Sequence, residues 1–299
     1  MASTTSVRRT RTDLCPGVSR PWTADDGLLV RLRVVGGRLP LAALLRLAAV
    51  AERYADGRIY LTKRANLQLR GLPRERGELP SEVIAAIEET GLLPTRTHEL
   101  VRNILVSPQT GSAGGRANLR SAAACLDAAL RADPYLAALP GRFLFTLDDG
   151  RGDLLDRLTG SGRRGTDLGV VALTGEEGQL RVGDHWGEVV QLDEAALHLV
   201  GLAAAFLHAR GNGRSAPWHV RELGTPLSTP RPADQRIPPP AQALTFGVVP
   251  GGEHVQVPDG VLTAQHARRL LDYTHSPDAN VVVTPWHGIF VPSAPEAAT

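Results

Sequence analysis

The sequence predicts an α+β fold in which two copies of a strand–helix–strand unit flank a central α/β region. Three observations predict it. Strand-like and amphipathic helical patterns alternate over 27–91. The segment 245–293 repeats the order of 27–72. Between the middle and the second copy lies "GTPLSTPRPADQRIPPPAQAL" (224–244), where proline density forbids a regular element and marks a linker.

Each element follows from a local signal. "GLLVRLRVVGG" (27–37) alternates as a strand and closes on a glycine pair, and "LPLAALLRLAAVAERYADG" (39–57) follows as an amphipathic helix with Pro40 at its start and Gly57 at its stop. "RIYLTKRANLQLRG" (58–71) reads as one strand, with Leu61, Lys63, Ala65, Leu67 and Leu69 on one face and Tyr60, Thr62, Arg64, Asn66, Gln68 and Arg70 on the other. "PSEVIAAIEETG" (80–91) is a second helix. The middle offers a strand in "ELVRNILVSPQTG" (99–111), a helix over 116–132, a strand in "GRFLFTLDDG" (141–150), a hairpin turning on Gly175 to Gly178, and a long helix within 192–211. In the repeat, "IYLTKRANLQLRGLP" aligns with "VVVTPWHGIFVPS", placing Thr62 over Thr284, with strand, helix and strand of the same lengths in both copies. The expected organisation is a disordered tail (1–14), a first half-domain (15–98), a central α/β domain (99–223), the linker (224–244) and a second half-domain (245–293).

Composition excludes several classes. The 299 residues are 42% hydrophobic with a formal net charge of +2, so bulk charge implies neither nucleic acid nor membrane. No apolar run approaches the ~20 residues of a membrane span, and the paired arginines of the N-terminus precede no apolar stretch, which leaves the cytoplasm as the expected location. Cys15 and Cys125 are the only cysteines and form no CxxC pair, so a four-cysteine zinc or iron–sulfur site cannot be built from them. The scattered histidines show no ligand spacing, and "DDGRGD" (148–153) has oxygen ligands without calcium-loop spacing.

The chemistry concentrates in the polar row. Arg64, Asn66 and Gln68 present planar guanidinium and amide groups with no acid among them. Arg31 and Arg33 share one face of the preceding strand, and Arg102, Asn103 and Arg142 stand at the starts of two further strands. Converging guanidinium forks suit carboxylates better than lysine would, and Lys63 is the only lysine. The second copy replaces Arg64, Asn66 and Gln68 by Trp286, Gly288 and Phe290, so the scaffold itself does not require the row. An RNA-binding sheet would need aromatic platforms, and aromatic content is 4%.

"GLLVRLRVVGGRLP", "LTKRANLQLRG", "LVRNILVSP" and "LPGRFLFTLDDG", in this order, resemble the nitrite/sulfite reductase superfamily, and "VVVTPWHGIFVP" is similar to its second ferredoxin-like half-domain. Within it, the opening "CPGVSRPW" leading into "DGLLVRLR", with "TPWHG", resembles the precorrin-3B synthase family of cobalamin biosynthesis. The resemblance implies duplicated ferredoxin-like half-domains of the nitrite/sulfite reductase type around a central α/β domain, holding a polycarboxylate tetrapyrrole: siroheme in the reductases, a precorrin in the synthase. It gives Arg31, Arg33, Arg64, Asn66, Gln68, Arg102, Asn103 and Arg142 the task of binding that ligand, and assigns no oxygen-activating residue. It implies oxidoreductase chemistry of the monooxygenase kind, with a [4Fe–4S] cluster on a domain that would begin at "FVPSAPEAAT". Because the cluster ligands are absent from this chain, a separate iron–sulfur or electron-donor protein is the expected partner. A cluster-free tetrapyrrole-binding protein is the alternative. Sulfite or nitrite reduction is disfavoured, since Leu144 stands where the reductases place a second basic residue over the substrate anion.

Overall fold

The computed structural model describes residues 13–160, 165–213, 215–274 and 276–293; all but the last two residues of the expected tail lie outside them. The first copy runs β1 (Trp22–Ala24), β2 (Gly27–Leu32), a 3₁₀ turn at Val35–Gly37, β3 (Arg38–Pro40), α1 (Leu41–Tyr54), β4 (Arg58–Leu61) and β5 (Leu67–Leu72), with α2 (Ser81–Glu88) after it. The middle contains β6 (Ile104–Val106), α3 (Arg120–Ala132), β7 (Phe145–Asp148), α4 (Leu155–Thr159), β8 (Leu168–Ala172), β9 (Glu177–Val182), β10 (His185–Gln191) and α5 (Ala195–Arg210). The second copy is β11 (Gly247–Val249), β12 (Gly252–Gln256), a 3₁₀ turn at Pro258–Gly260, β13 (Val261–Thr263), α6 (Ala264–Arg269), α7 (Leu271–Thr274), β14 (Asn280–Val283) and β15 (Gly288–Pro292).

The order of elements repeats as expected, but the lengths do not. The single helix α1 corresponds to α6 and α7, which break at Leu270. A larger departure is strand exchange. The sheets run β1-β2-β5-β4-β13 and β11-β12-β15-β14-β3, so each copy's short third strand completes the other copy's sheet. Leu39 of β3 pairs with Val281, and Leu262 of β13 pairs with Ile59. One hydrophobic core takes residues from both copies, including Leu32, Leu44, Leu67, Leu262, Val281 and Ile289. The central sheet, β10-β9-β8-β7-β6, is parallel from β6 to β8 and antiparallel beyond. It has a core of its own, in which Phe143 is in ring contact with Phe145 and with Phe206 of α5. The linker is irregular, as its prolines require, but runs along the central domain: Arg231 donates its amide to the Trp186 carbonyl at 2.8 Å and Ala241 donates to the Gly152 carbonyl at 3.0 Å.

The stretch 58–71 is not one strand but a hairpin, with Tyr60 opposite Gln68 and Leu61 opposite Leu67. The Thr62 hydroxyl makes the turn by accepting from the Asn66 amide at 3.0 Å, while Ala65 takes the left-handed conformation (φ 54°). The repeat builds the same turn from Thr284, with His287 left-handed (φ 61°). Within each arm the expected alternation holds: Ile59, Leu61, Leu67 and Leu69 face the core.

Candidate functional site

The β2 face that carries Arg31, with Arg33 just past the strand's end, lies beside the β5 face that carries Gln68. Register places Arg31 opposite Gln68, and the Arg31 Nη2 donates to Gln68 Oε1 at 3.0 Å. Arg64, at the hairpin tip, donates through Nη1 to the Arg142 carbonyl at 2.8 Å, which draws Arg142 of the central domain to the same place. Across this face runs the segment 13–20. Arg33 donates to the Pro16 carbonyl at 2.5 Å, Arg142 pairs with Asp13 at 3.3 Å, and Glu99 holds the segment by accepting from the amides of Val18 (2.6 Å) and Ser19 (2.7 Å).

Four guanidinium groups therefore gather in a largely desolvated place. Burial lowers the pKa of Arg31, and the charge of Arg142 lowers it further. Burial also lowers Arg64, partly offset by the Asp167 carboxylate. Arg33 is pressed down to about 10, first by burial and then by Arg31. That value is still far above neutrality, so Arg33 stays charged, as guanidinium groups do in proteins. Arg33 is only 3% exposed, and its Nε and Nη2, with Nε of Arg31, are buried without a hydrogen-bond partner among the described residues. Cys15 lies against this cluster. Burial raises its thiol pKa, Asp13 adds to the rise, and Arg33, Arg142 and Arg31 oppose it.

Not every expected residue is available to a ligand. Asn66 is 1% exposed; its Oδ1 accepts from the Val34 amide at 3.0 Å and its Nδ2 donates to Asn103 Oδ1 at 3.1 Å. Asn103 donates in turn to the carbonyls of Leu100 and Gly141. These two amides fasten the hairpin tip to the central domain and position Arg64 and Arg142. Arg102 points elsewhere: its Nε and Nη2 grip Asp127 of α3 at 2.5 and 3.2 Å. Leu144 is buried in the core, and its amide donates to Asp167 at 3.0 Å. Asp167 also faces Nδ1 of the buried His219 at 3.1 Å.

Sequence reasoning did not single out Asp13, Asp167, His219 or Trp218, whose ring lies 5.0 Å from the Arg142 guanidinium carbon. The proline–glycine pair after Cys15 was the available signal for a segment folded back on the row.

The donor set does not fit an iron–sulfur cluster. Two thiols are present where such a cluster takes four, with Cys15 buried and Cys125 exposed on α3. Among the described residues, the group with metal-ligand spacing is Asp148, Asp149 and Asp153, which contains no thiol. Its oxygens already accept from the amides of Gly150, Gly152 and Leu154, from Ser107 and from Arg151. The arginine face offers forked donors that no described residue fills, a set suited to carboxylates.

Residues 23–78 match the nitrite/sulfite reductase ferredoxin-like half domain. A precorrin-3B synthase from Sinorhizobium sp. is 45% identical over 67 residues, a match covering 22% of this chain and 15% of that relative. The NirA protein of Mycobacterium tuberculosis is similar in structure, with a TM-score of 0.66 at 18% sequence identity, over 97% of this chain and 58% of NirA. The chain thus covers less than two thirds of either protein. Among the described residues no helix is long and apolar enough to cross a membrane. Residues 23–78 are thus similar to the nitrite/sulfite reductase ferredoxin-like half domain, and the chain as a whole shares the α+β fold of NirA.

Proposed function

We propose that the protein binds a polycarboxylate tetrapyrrole of the precorrin type on the face formed by Arg31, Arg33, Arg64, Gln68 and Arg142. The observation that carries this reading is the half-buried Arg31 beside the buried Arg33, with buried donors that no described residue fills. A buried guanidinium left unpaired is strongly destabilising, and buried polar groups without partners are rare enough to need an explanation. A carboxylate ligand would fill these donors with charge-assisted hydrogen bonds. Carboxylates arranged around a flat ring match donors spread over one sheet face and the adjoining loop.

The partial likeness to a precorrin-3B synthase supports an oxidative step on such a ring. In that reading this chain binds and orients the substrate, while electrons come from an iron–sulfur centre outside these 299 residues. Binding without turnover is the second reading, and the count of two cysteines favours it.

The test is a fluorescence titration with a porphyrin octacarboxylate, set against a porphyrin with only two carboxylates. The octacarboxylate should bind more tightly. Arg64→Ala should weaken it by about 10- to 100-fold, equivalent to the ~1.5–3 kcal/mol of a hydrogen bond to a charged group, with the fold intact by circular dichroism. Equal affinity for the two porphyrins, or an unchanged Arg64→Ala variant, would overturn the reading. Iron and sulfide analysis together with assay for oxygenated product separates the enzyme from the binder.

A further inference from the structure

Residues 13–20 cross the arginine face as a segment of two unequal parts. The part 17–20 is fixed. Val18 sits in the core at 2% exposure, Glu99 accepts the amides of Val18 and Ser19, and Gly17 donates to the Arg20 carbonyl at 3.1 Å. Gly17 lies so close to Glu99 and Leu100 that a Cβ there would come within 2.8 Å of both. The part 13–16 is held otherwise. Among the described residues, its hydrogen bonds to the chain beyond Arg20 go to two arginines of the face: Asp13 Oδ1 accepts from Arg142 Nε at 3.3 Å, and the Pro16 carbonyl accepts from Arg33 Nη1 at 2.5 Å.

Both contacts are incomplete. Asp13 Oδ2 is buried without a partner among the described residues, so the carboxylate meets Arg142 through one oxygen. Arg33 receives a neutral carbonyl, and no described residue fills its Nε and Nη2. A free carboxylate can meet a guanidinium through two parallel charge-assisted bonds, each stronger than a bond to a neutral acceptor. An incoming carboxylate would therefore outmatch residues 13–16 at the same donors. The seat beneath them is close-fitting. A Cβ on Gly141 would stand 2.8 Å from Cys15 Cβ and 3.3 Å from Asp13 Oδ2, so the segment lies flat because the residue before Arg142 has no side chain.

We propose that residues 13–16 are a built-in plug of the arginine face, with the Asp13 carboxylate at Arg142 and the Pro16 carbonyl at Arg33 in the places of ligand oxygens, and that binding swings the plug out with Gly17 as the pivot. The inference rests on the reading of this face as the tetrapyrrole site and adds its regulation. Only molecules with the plug out accept the ligand, so the apparent affinity is reduced by the fraction that is open. Cys15, 8% exposed with the plug seated, is a natural reporter of its position.

The experiment uses the whole protein carrying Cys125→Ser, which leaves Cys15 as its only thiol. Two variants should free the plug by different means: Asp13→Ala removes its ion pair, and Gly141→Ala crowds Cys15 and Asp13 while keeping every charge. Without ligand, both should label with N-ethylmaleimide at least fivefold faster than the parent, with circular dichroism unchanged. Both should also bind the porphyrin octacarboxylate at least threefold more tightly. Asp25→Ala, which takes the same charge from the exposed turn before β2, should change neither. Parent-like labelling or parent-like affinity in either opening variant would overturn the plug, as would an equal gain in Asp25→Ala. Should Gly141→Ala fail to fold, Asp13→Ala against Asp25→Ala decides alone. In those outcomes a parent that still prefers the octacarboxylate, and loses that preference in Arg64→Ala, keeps the tetrapyrrole reading intact. If neither the parent nor the opened variants distinguish the octacarboxylate from the dicarboxylate, that reading falls and the plug falls with it.

Discussion

Asp153 shows how a single buried group ties the fold to pH. Burial pushes its carboxyl up to about 7, the neighbouring Asp148 adds to the rise, and the 2.7 Å hydrogen bond from Ser107 opposes it. An unfolded aspartate titrates near ~3.9. Between about pH 4 and 7 the folded protein therefore holds a proton that the unfolded chain has released, and stability falls as pH rises through that window. Asp153→Asn keeps an acceptor for Ser107 and removes the titration. Denaturant melts should show the variant more stable than the parent at pH 8, by on the order of 2–4 kcal/mol, and no more stable at pH 4. Equal stability of parent and variant at pH 8 would remove Asp153 from the pH response. The "DDGRGD" motif was visible in the sequence, but its role was not, because its oxygens accept from amides and from a serine that the chain brings from 46 residues away.

At the scale of elements, the alternation within 58–71 gave Leu61, Ala65, Leu67 and Leu69 correctly as buried, but it grouped the exposed Lys63 with them, left the buried Asn66 on the polar face and gave the wrong topology. A tight turn is usually marked by glycine or asparagine at its left-handed position, but here Ala65 occupies it and the Thr62 hydroxyl supplies the closure. The polar row was legible as a set because Arg31, Gln68 and Arg64 remain neighbours in a hairpin as they would in a strand. Which members are committed internally was not legible, since Asn66 and Asn103 meet only in three dimensions. Gly37 fixes the approach of this hairpin to the other copy: it is left-handed (φ 71°), and a Cβ there would strike the Val283 carbonyl and press on Ala65. Gly57 has a similar backbone (φ 77°) with open space around it. Gly57→Ala should cost about 1–2 kcal/mol, the left-handed penalty alone. Gly37→Ala should cost clearly more, about 3–5 kcal/mol, in the range kept for strain and overpacking in a core. Equal losses in urea melts would show that the close approach carries no energy.

Over the whole molecule, the duplication was readable from the sequence and the exchange was not. Each exchanged strand is three residues long, too short for a periodicity signal, and its partner lies more than 190 residues away. The consequence is mechanical. β13 completes the first sheet, β3 completes the second, and the core between them is common to both copies. The linker is then not what holds the second copy in place. A site-specific protease sequence inserted at the exposed Gly224 should allow the chain to be cut there without separating the pieces. The fragments should elute as one species from a sizing column and unfold together, parting only in denaturant. Leu262→Ala, in a strand that belongs to one copy by sequence and to the other by pairing, should cost about 2–5 kcal/mol and lower the unfolding midpoint of both copies equally. Fragments that separate in native buffer, or a midpoint that falls in one copy only, would mean that the two halves are stable independently. The arginine face would then be a property of the first copy and the central domain alone. If the fragments stay together, the face is held in place by a core to which both copies contribute.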